Sequence, residues 1–211
     1  TETSPFILYC EWKNEFDALD ADQQASIKAR QGIELAFNGE TKVVNQGDGK
    51  EVAWNGKELG EIITRGNVVM AGYYKDPEKT AEAIRDGWFY TGDLAVTHPD
   101  GFIEIQDRIK DMIISGGENV SSVEVEGVIA AHPAVSLASV VAKPDEKWGE
   151  VPCAFVELKE GAQADEAEMI AFVRTRLAGF KCPKKVVFQE LPKTSTGKIQ
   201  KFELRKQAKT L

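Results

Sequence analysis

Apolar positions along this 211-residue chain follow one grammar in its first half and another in its second. Early on they come as short β-prone runs broken by turn residues. Ile33-Glu-Leu-Ala-Phe37, Thr41-Lys-Val-Val44 and Glu61-Ile-Ile-Thr64 read as strands, and Gly47-Asp-Gly49 marks a turn. Leu94-Ala-Val96 and Phe102-Ile-Glu-Ile105 flank Asp100-Gly101, a hairpin signal. Helix signals are few: Leu19 to Arg30, with Asp20 or Asp22 as N-cap, and Asp76-Pro77, which opens a helix running to about Ile84. Closely spaced strands with so few helices predict a small distorted β-barrel or sandwich over residues 1–108.

Beyond residue 110, strands alternate with helices. Met112-Ile-Ile114 reads as a buried strand, and Ser121-Ser-Val-Glu124 as a capping box opening a helix to about Ala131. Val135 to Val141 and Cys153 to Leu158 are strands, and Asp165 to Leu177 is a helix stopped by Gly179. Lys185 to Leu191 is a strand and Lys201 to Lys209 a final helix. Residues 109–211 are therefore expected to form a compact α/β domain. The whole is α+β in class, with a boundary at Arg108 to Asp111.

Composition narrows the function classes. A formal net charge of −8 argues against nonspecific nucleic-acid binding, which needs a basic surface. No apolar run approaches the roughly 20 residues of a membrane span. Cys10, Cys153 and Cys182 lie far apart, without metal or redox spacing, and with two histidines a zinc site is improbable on count alone. They read as reduced thiols in a cytoplasmic compartment. The last residues, Ala208-Lys-Thr-Leu211, are not the Ser-Lys-Leu peroxisomal address.

Candidate chemistry concentrates in a few stretches. In Tyr90-Thr-Gly-Asp-Leu94, the Asp93 carboxylate could accept from both hydroxyls of a ribose, or could simply be a turn aspartate after glycine. Ser115-Gly116-Gly117 offers bare backbone that a ligand can approach closely, or a strand-to-helix turn. Thr196-Gly197-Lys198 looks superficially like a phosphate-binding P-loop. Pro192 stands where that motif needs its first glycine, and Ile199 where it needs Ser or Thr, so the P-loop reading fails. Trp148 and Phe180 could stack on a base or sit half-buried in a core. Lys181, Lys184 and Lys185 form a local basic cluster.

Three segments carry a resemblance when taken in order: Tyr90-Thr-Gly-Asp-Leu94, Asp107-Arg-Ile-Lys-Asp-Met-Ile-Ile-Ser-Gly-Gly-Glu-Asn119 and Pro192-Lys-Thr-Ser-Thr-Gly-Lys-Ile-Gln-Lys201. They resemble the adenylate-forming (AMP-binding) superfamily, and within it the acyl-CoA synthetases. The resemblance implies that Asp93 holds the ribose of ATP and that Arg108 supports the nucleotide. It makes Lys110 the hinge between two arrangements of a mobile domain. It implies that Lys198 bridges the substrate carboxylate and the α-phosphate. Thr1 and Glu2 match a step that contacts phosphate and Mg²⁺. Ser115, Gly116, Gly117 and Glu118 match the thioester-forming loop, and Trp148, Phe180, Lys181 and Lys184 lie near coenzyme A. Cys182 departs from relatives that carry arginine there, which leaves Lys181 or Lys184 to meet the 3′-phosphate.

The implied reaction converts a carboxylic acid, ATP and CoA to acyl-CoA, AMP and pyrophosphate through an acyl-adenylate, with a medium-chain fatty or aryl acid as substrate. In the resembled family Thr-Glu lies deep in the chain. The sequence is therefore expected to be the C-terminal part of a larger ligase, inactive without its N-terminal domain. A domain that loads a carrier protein, a luciferase-like oxygenase and a stand-alone CoA- or nucleotide-binding module are the other readings. Gly116-Gly-Glu-Asn119 counts against the first, whose relatives usually carry an arginine in that loop.

Overall fold

The computed structural model describes residues 1–4 and 6–211. They divide into two compact units, Thr1–Ile109 and Lys110–Leu211.

The first unit holds β1 (Leu8–Tyr9), β2 (Ile33–Glu34), β3 (Glu40–Val44), β4 (Gly60–Arg65), β5 (Ile84–Arg85), β6 (Trp88–Thr97) and β7 (Ile103–Arg108). Its helices are α1 (Ala21–Lys28) and α2 (Pro77–Ala83). Asp20, not Asp22, caps α1 by accepting from the Gln23 amide. Asp76 caps α2, with Pro77 in its first turn. The main sheet runs β3-β4-β6-β5, with β7 added to β6, and among the described residues β1 pairs only with β2. Neither sheet closes, so the expected β-barrel is replaced by an open antiparallel sheet beside a two-stranded ribbon. Short strands with regular turn spacing do not distinguish the two arrangements, because closure depends on which edges meet. Val43, Val52, Ile62, Ala95 and Ile103 form one core cluster, and Phe16, Ile27 and Phe102 another.

β6 begins earlier than its hydrophobic run suggests, at Trp88, and contains the stretch that reads as a turn. Glu61 faces Leu94 and Ile63 faces Tyr90, so Thr91 to Asp93 oppose Ile62 alone. This is a β-bulge, and Gly92 supplies the positive φ (74°) it requires.

The second unit contains β8 (Ile113–Ser115), β9 (Glu118–Val120), β10 (Val135–Asp145), β11 (Gly149–Leu158) and β12 (Lys185–Phe188). Its helices are α3 (Ser122–Ala130), α4 (Glu166–Arg174) and α5 (Lys201–Ala208). β11 is the hub of the sheet: antiparallel to β10 and β8, and parallel to β12. Its side chains alternate between two cores, as strand pleating dictates. Ala154 and Val156 face a core shared with Val125 and Ile129 of α3 and Met169 and Val173 of α4. Cys153 and Phe155 face Leu204 and Ala208 of α5. Ser121 caps α3 and Asp165 caps α4. Gly179 does not terminate α4. The helix ends at the Thr175 C-cap, and Gly179 has no positive φ. No helix among the described residues is long and apolar enough to cross a membrane.

Candidate functional site

In the first unit a cavity of about 600 Å³ gathers Thr1, Glu2, Tyr73, Tyr90, Asp93 and Arg108 among its lining residues. Four of the expected site residues, drawn from three distant stretches of chain, thus share one wall. Asp93 and Arg108 are cross-strand partners on β6 and β7. Arg108 Nε donates to Asp93 Oδ1 at 2.8 Å, and Asp93 Oδ2 has no partner among the described residues. One carboxylate oxygen therefore orients the guanidinium while the other remains to accept from a ligand hydroxyl.

The bulge presents Asp93, and two residues unremarked in the sequence hold the bulge. Buried Glu61 accepts the Gly92 amide at 3.0 Å, and Thr91 Oγ1 donates to the Ile62 carbonyl at 2.9 Å. Glu2 stands on a segment tied to residues 68–70. The Met70 amide donates to the Glu2 carbonyl at 2.8 Å and the Ser4 amide to the Val68 carbonyl at 2.9 Å. Tyr73 Oη reaches Glu2 Oε1 at 3.4 Å, a long contact. Thr80 Oγ1 fixes Tyr73 by accepting its amide at 2.9 Å. The only sequence signal for Tyr73 was its place just before the α2 cap.

The remaining expected residues belong to the second unit. Lys198 lies on an exposed turn. The Gly197 amide donates to the Thr194 carbonyl, the Thr194 amide to the Lys198 carbonyl and the Lys198 amide to Thr194 Oγ1. These bonds set the backbone and leave the Lys198 ammonium without a partner among the described residues. Lys110 is the first residue of this unit and is exposed. Next to it, Asp111, partly buried with a side chain 8% exposed, forms an ion pair with Arg205 of α5.

Gly116 and Gly117 form the two-residue turn of the β8–β9 hairpin, with φ of 62° and 87°. Two positive φ values define a type I′ turn, so strand β9 follows it and not a helix. The Ser115 side chain is buried beneath the turn, while Gly116, Gly117 and Glu118 are exposed. The Gly116 amide donates to the Trp148 carbonyl at 2.8 Å. A Cβ at Gly116 would lie 2.7 Å from Trp148 Cε3, so glycine is what lets the indole rest on this backbone.

Trp148 is 44% and Phe180 40% exposed, so each keeps a substantial open surface. Lys181 is already engaged by Glu124, at 2.8 and 2.7 Å to its two carboxylate oxygens. The Lys184 side chain is exposed and has no such partner among the described residues. Cys182 is fully buried, and its thiol points at the Ala178 carbonyl 3.5 Å away.

Among the described residues, no group of three or more His, Cys, Asp or Glu side chains could hold a metal. Glu2 offers a single, partly exposed carboxylate. That suits a Mg²⁺ ion held chiefly by phosphate oxygens and water, which needs few protein ligands.

The first unit thus carries a cavity lined by Thr1, Glu2, Asp93 and Arg108, and the second an exposed lysine on a turn. Residues 124–198 match the AMP-binding enzyme C-terminal domain family. The chain belongs to the adenylate-forming, AMP-binding superfamily and is homologous along its length to acyl-activating enzymes and CoA ligases. It is 52% identical to a 2-methylpropanoate–CoA ligase of Humulus lupulus, covering 99% of this chain and 38% of that one. It is 52% identical to 4-hydroxybutyrate–CoA ligase 2 of Metallosphaera sedula, with the same coverages. Among solved structures, ATP-bound MatB from Rhodopseudomonas palustris shares 37% identity at a TM-score of 0.79, over 86% of this chain and 36% of that one. The chain spans about two-fifths of the length of the curated relatives it matches.

Proposed function

We propose that this chain serves an AMP-forming acyl-CoA synthetase. A carboxylate attacks the α-phosphate of ATP, giving acyl-adenylate and pyrophosphate. The CoA thiol then attacks the acyl carbon and AMP leaves. The observation that carries this reading is the cavity that brings Thr1, Glu2, Asp93 and Arg108 together. Asp93 Oδ2 accepts from the ribose, and Arg108, oriented by Asp93 Oδ1, offers positive charge to the nucleotide. Thr1 contacts phosphate. Glu2 supplies one carboxylate to Mg²⁺, which neutralises phosphate charge when bound. Lys198 stabilises charge on both the carboxylate and the α-phosphate as the first bond forms.

The two steps use different faces of the second unit, Lys198 on one turn and Gly116-Gly117 on another. Lys110, where the chain passes into that unit, absorbs the backbone change between them. Ser115, Gly116, Gly117 and Glu118 border the pantetheine path, Ser115 as a buried support. Trp148 and Phe180 offer stacking faces. Lys184 is the better phosphate cation of the two lysines, because Glu124 already neutralises Lys181. The remainder of the ligase, its N-terminal domain, supplies the acyl pocket.

For the substrate we favour a short aliphatic acid over the medium-chain or aryl acid that the motif resemblance implied. Two relatives at 52% identity are named for 2-methylpropanoate and 4-hydroxybutyrate. The deciding experiment measures pyrophosphate release by the intact protein across short aliphatic, medium-chain and aryl acids, with and without CoA. Acid-dependent pyrophosphate release followed by CoA-dependent AMP release supports the reading. Transfer to a carrier protein with no use of CoA would overturn it.

A further inference from the structure

We propose that Glu150 is a positioning residue for thioester formation, holding the Gly116-Gly117 turn at its working height above the β10–β11 hairpin. This rests on the acyl-CoA synthetase reading and adds a residue to it. Three contacts fasten the turn to the end of that hairpin. Ser115 and Gly149 are the single register pair between β8 and β11. The Gly116 amide donates to the Trp148 carbonyl at 2.8 Å. One residue before Ser115 on β8, the Ile114 amide donates to Glu150 Oε2 at 3.0 Å.

The third contact differs from the others because a side chain makes it. β8 and β11 diverge after one residue pair, so the Ile114 amide finds no backbone acceptor on β11. The Glu150 carboxylate spans that gap. A bond to a charged acceptor is stronger than one between neutral groups. The hairpin end is itself well set. Asp145 Oδ1 accepts from the Lys147 and Trp148 amides, each at 2.9 Å, and Asp145 faces Gly149 across the strands. Glu150 therefore ties the strand that leads into the two-glycine turn to a fixed hairpin end. Without it the turn is held at Gly116 and Ser115 alone and is free to tilt about them. The Lys198 turn lies on a separate stretch, between Leu191 and α5, and shares none of these contacts.

The test uses the intact enzyme with Glu150→Ala and Glu150→Gln. Two rates are measured: pyrophosphate release from acid and ATP, and acyl-CoA formation from supplied acyl-AMP and CoA. Glu150→Ala should lower kcat/KM for CoA in the second step by about tenfold to a hundredfold, as expected for one charge-assisted hydrogen bond. Pyrophosphate release should stay within about twofold. Glu150→Gln keeps an amide oxygen at the same reach and should restore most of the loss. Amide exchange at Ile114 should quicken in the alanine variant and not in the glutamine one. Parallel loss in both steps with a lowered Tm, or no loss in either, would overturn the positioning role while leaving the enzyme class intact. A wild-type protein that makes no thioester from acyl-AMP would overturn the class, and the role of Glu150 with it.

Discussion

Asp93→Ala separates a binding role for the carboxylate from a structural one, because the structure bounds each contribution. Its structural contact is the pair with Arg108, whose side chains are 26% and 47% exposed. Ion pairs so open to solvent contribute about 0–1 kcal/mol to stability. The bulge itself is held by Glu61 and Thr91 and does not depend on Asp93 side-chain atoms. The proposed binding contribution is larger. In the proposed function Oδ2 accepts from a ribose hydroxyl, and one hydrogen bond to a charged group is worth about 1.5–3 kcal/mol, or about tenfold to 150-fold in kcat/KM. Loss of Arg108 orientation adds to this. Asp93→Asn keeps one acceptor oxygen and should fall between wild type and alanine. The assay is pyrophosphate release at varied ATP, beside a thermal melt of the same sample. The reasoning fails if kcat/KM for ATP is unchanged, or if it falls only in step with a large drop in Tm.

Lys198→Ala in the intact enzyme should abolish pyrophosphate release yet spare acyl-CoA formation from supplied acyl-AMP, and equal loss in both steps would refute the assigned role. Lys110→Pro should act in the opposite direction. Proline fixes φ near −65° and restricts the preceding Ile109, so acyl-AMP should still form while acyl-CoA falls by orders of magnitude; normal acyl-CoA output would place the pivot elsewhere. Burial pushes the Cys153 thiol up to about 11. A raised folded pKa favours the protonated thiol in the native state, so stability should hold below pH 9 and decline as pH rises toward 11. Cys153→Ala should flatten that alkaline limb, as read by denaturant midpoints across the range.

Local signals made much of the fold legible. Asp20, Asp76-Pro77, Ser121 and Asp165 each cap a helix through a side chain that accepts a nearby amide, and such information lies within four residues. The Asp100-Gly101 hairpin is local in the same way, with Gly101 at φ 83°. What stayed hidden is non-local. Sheet closure depends on edges far apart in sequence, and the Gly92 bulge exists because Thr91 to Asp93 must match Ile62 across the sheet. Strand β9 is three residues long, too short for any periodicity to show. At the candidate site, motif resemblance pointed to Asp93, Arg108 and Lys198. Nothing in the sequence marked the contacts of Glu61, Tyr73 or Glu150, because each acts on a residue 31 or more positions away.

The two-faced strand β11 has a consequence for how this chain is made. Its α3 and α4 face can close once residue 186 has emerged from the ribosome, but Val141, Cys153 and Phe155 on the other face await Leu191, Leu204 and Ala208. During synthesis the sheet therefore spends an interval with one greasy side bare, the kind of surface that invites association with other nascent chains. The turn bearing Lys198 lies inside that last segment, so the side that is sealed latest is sealed by the stretch that also delivers the lysine.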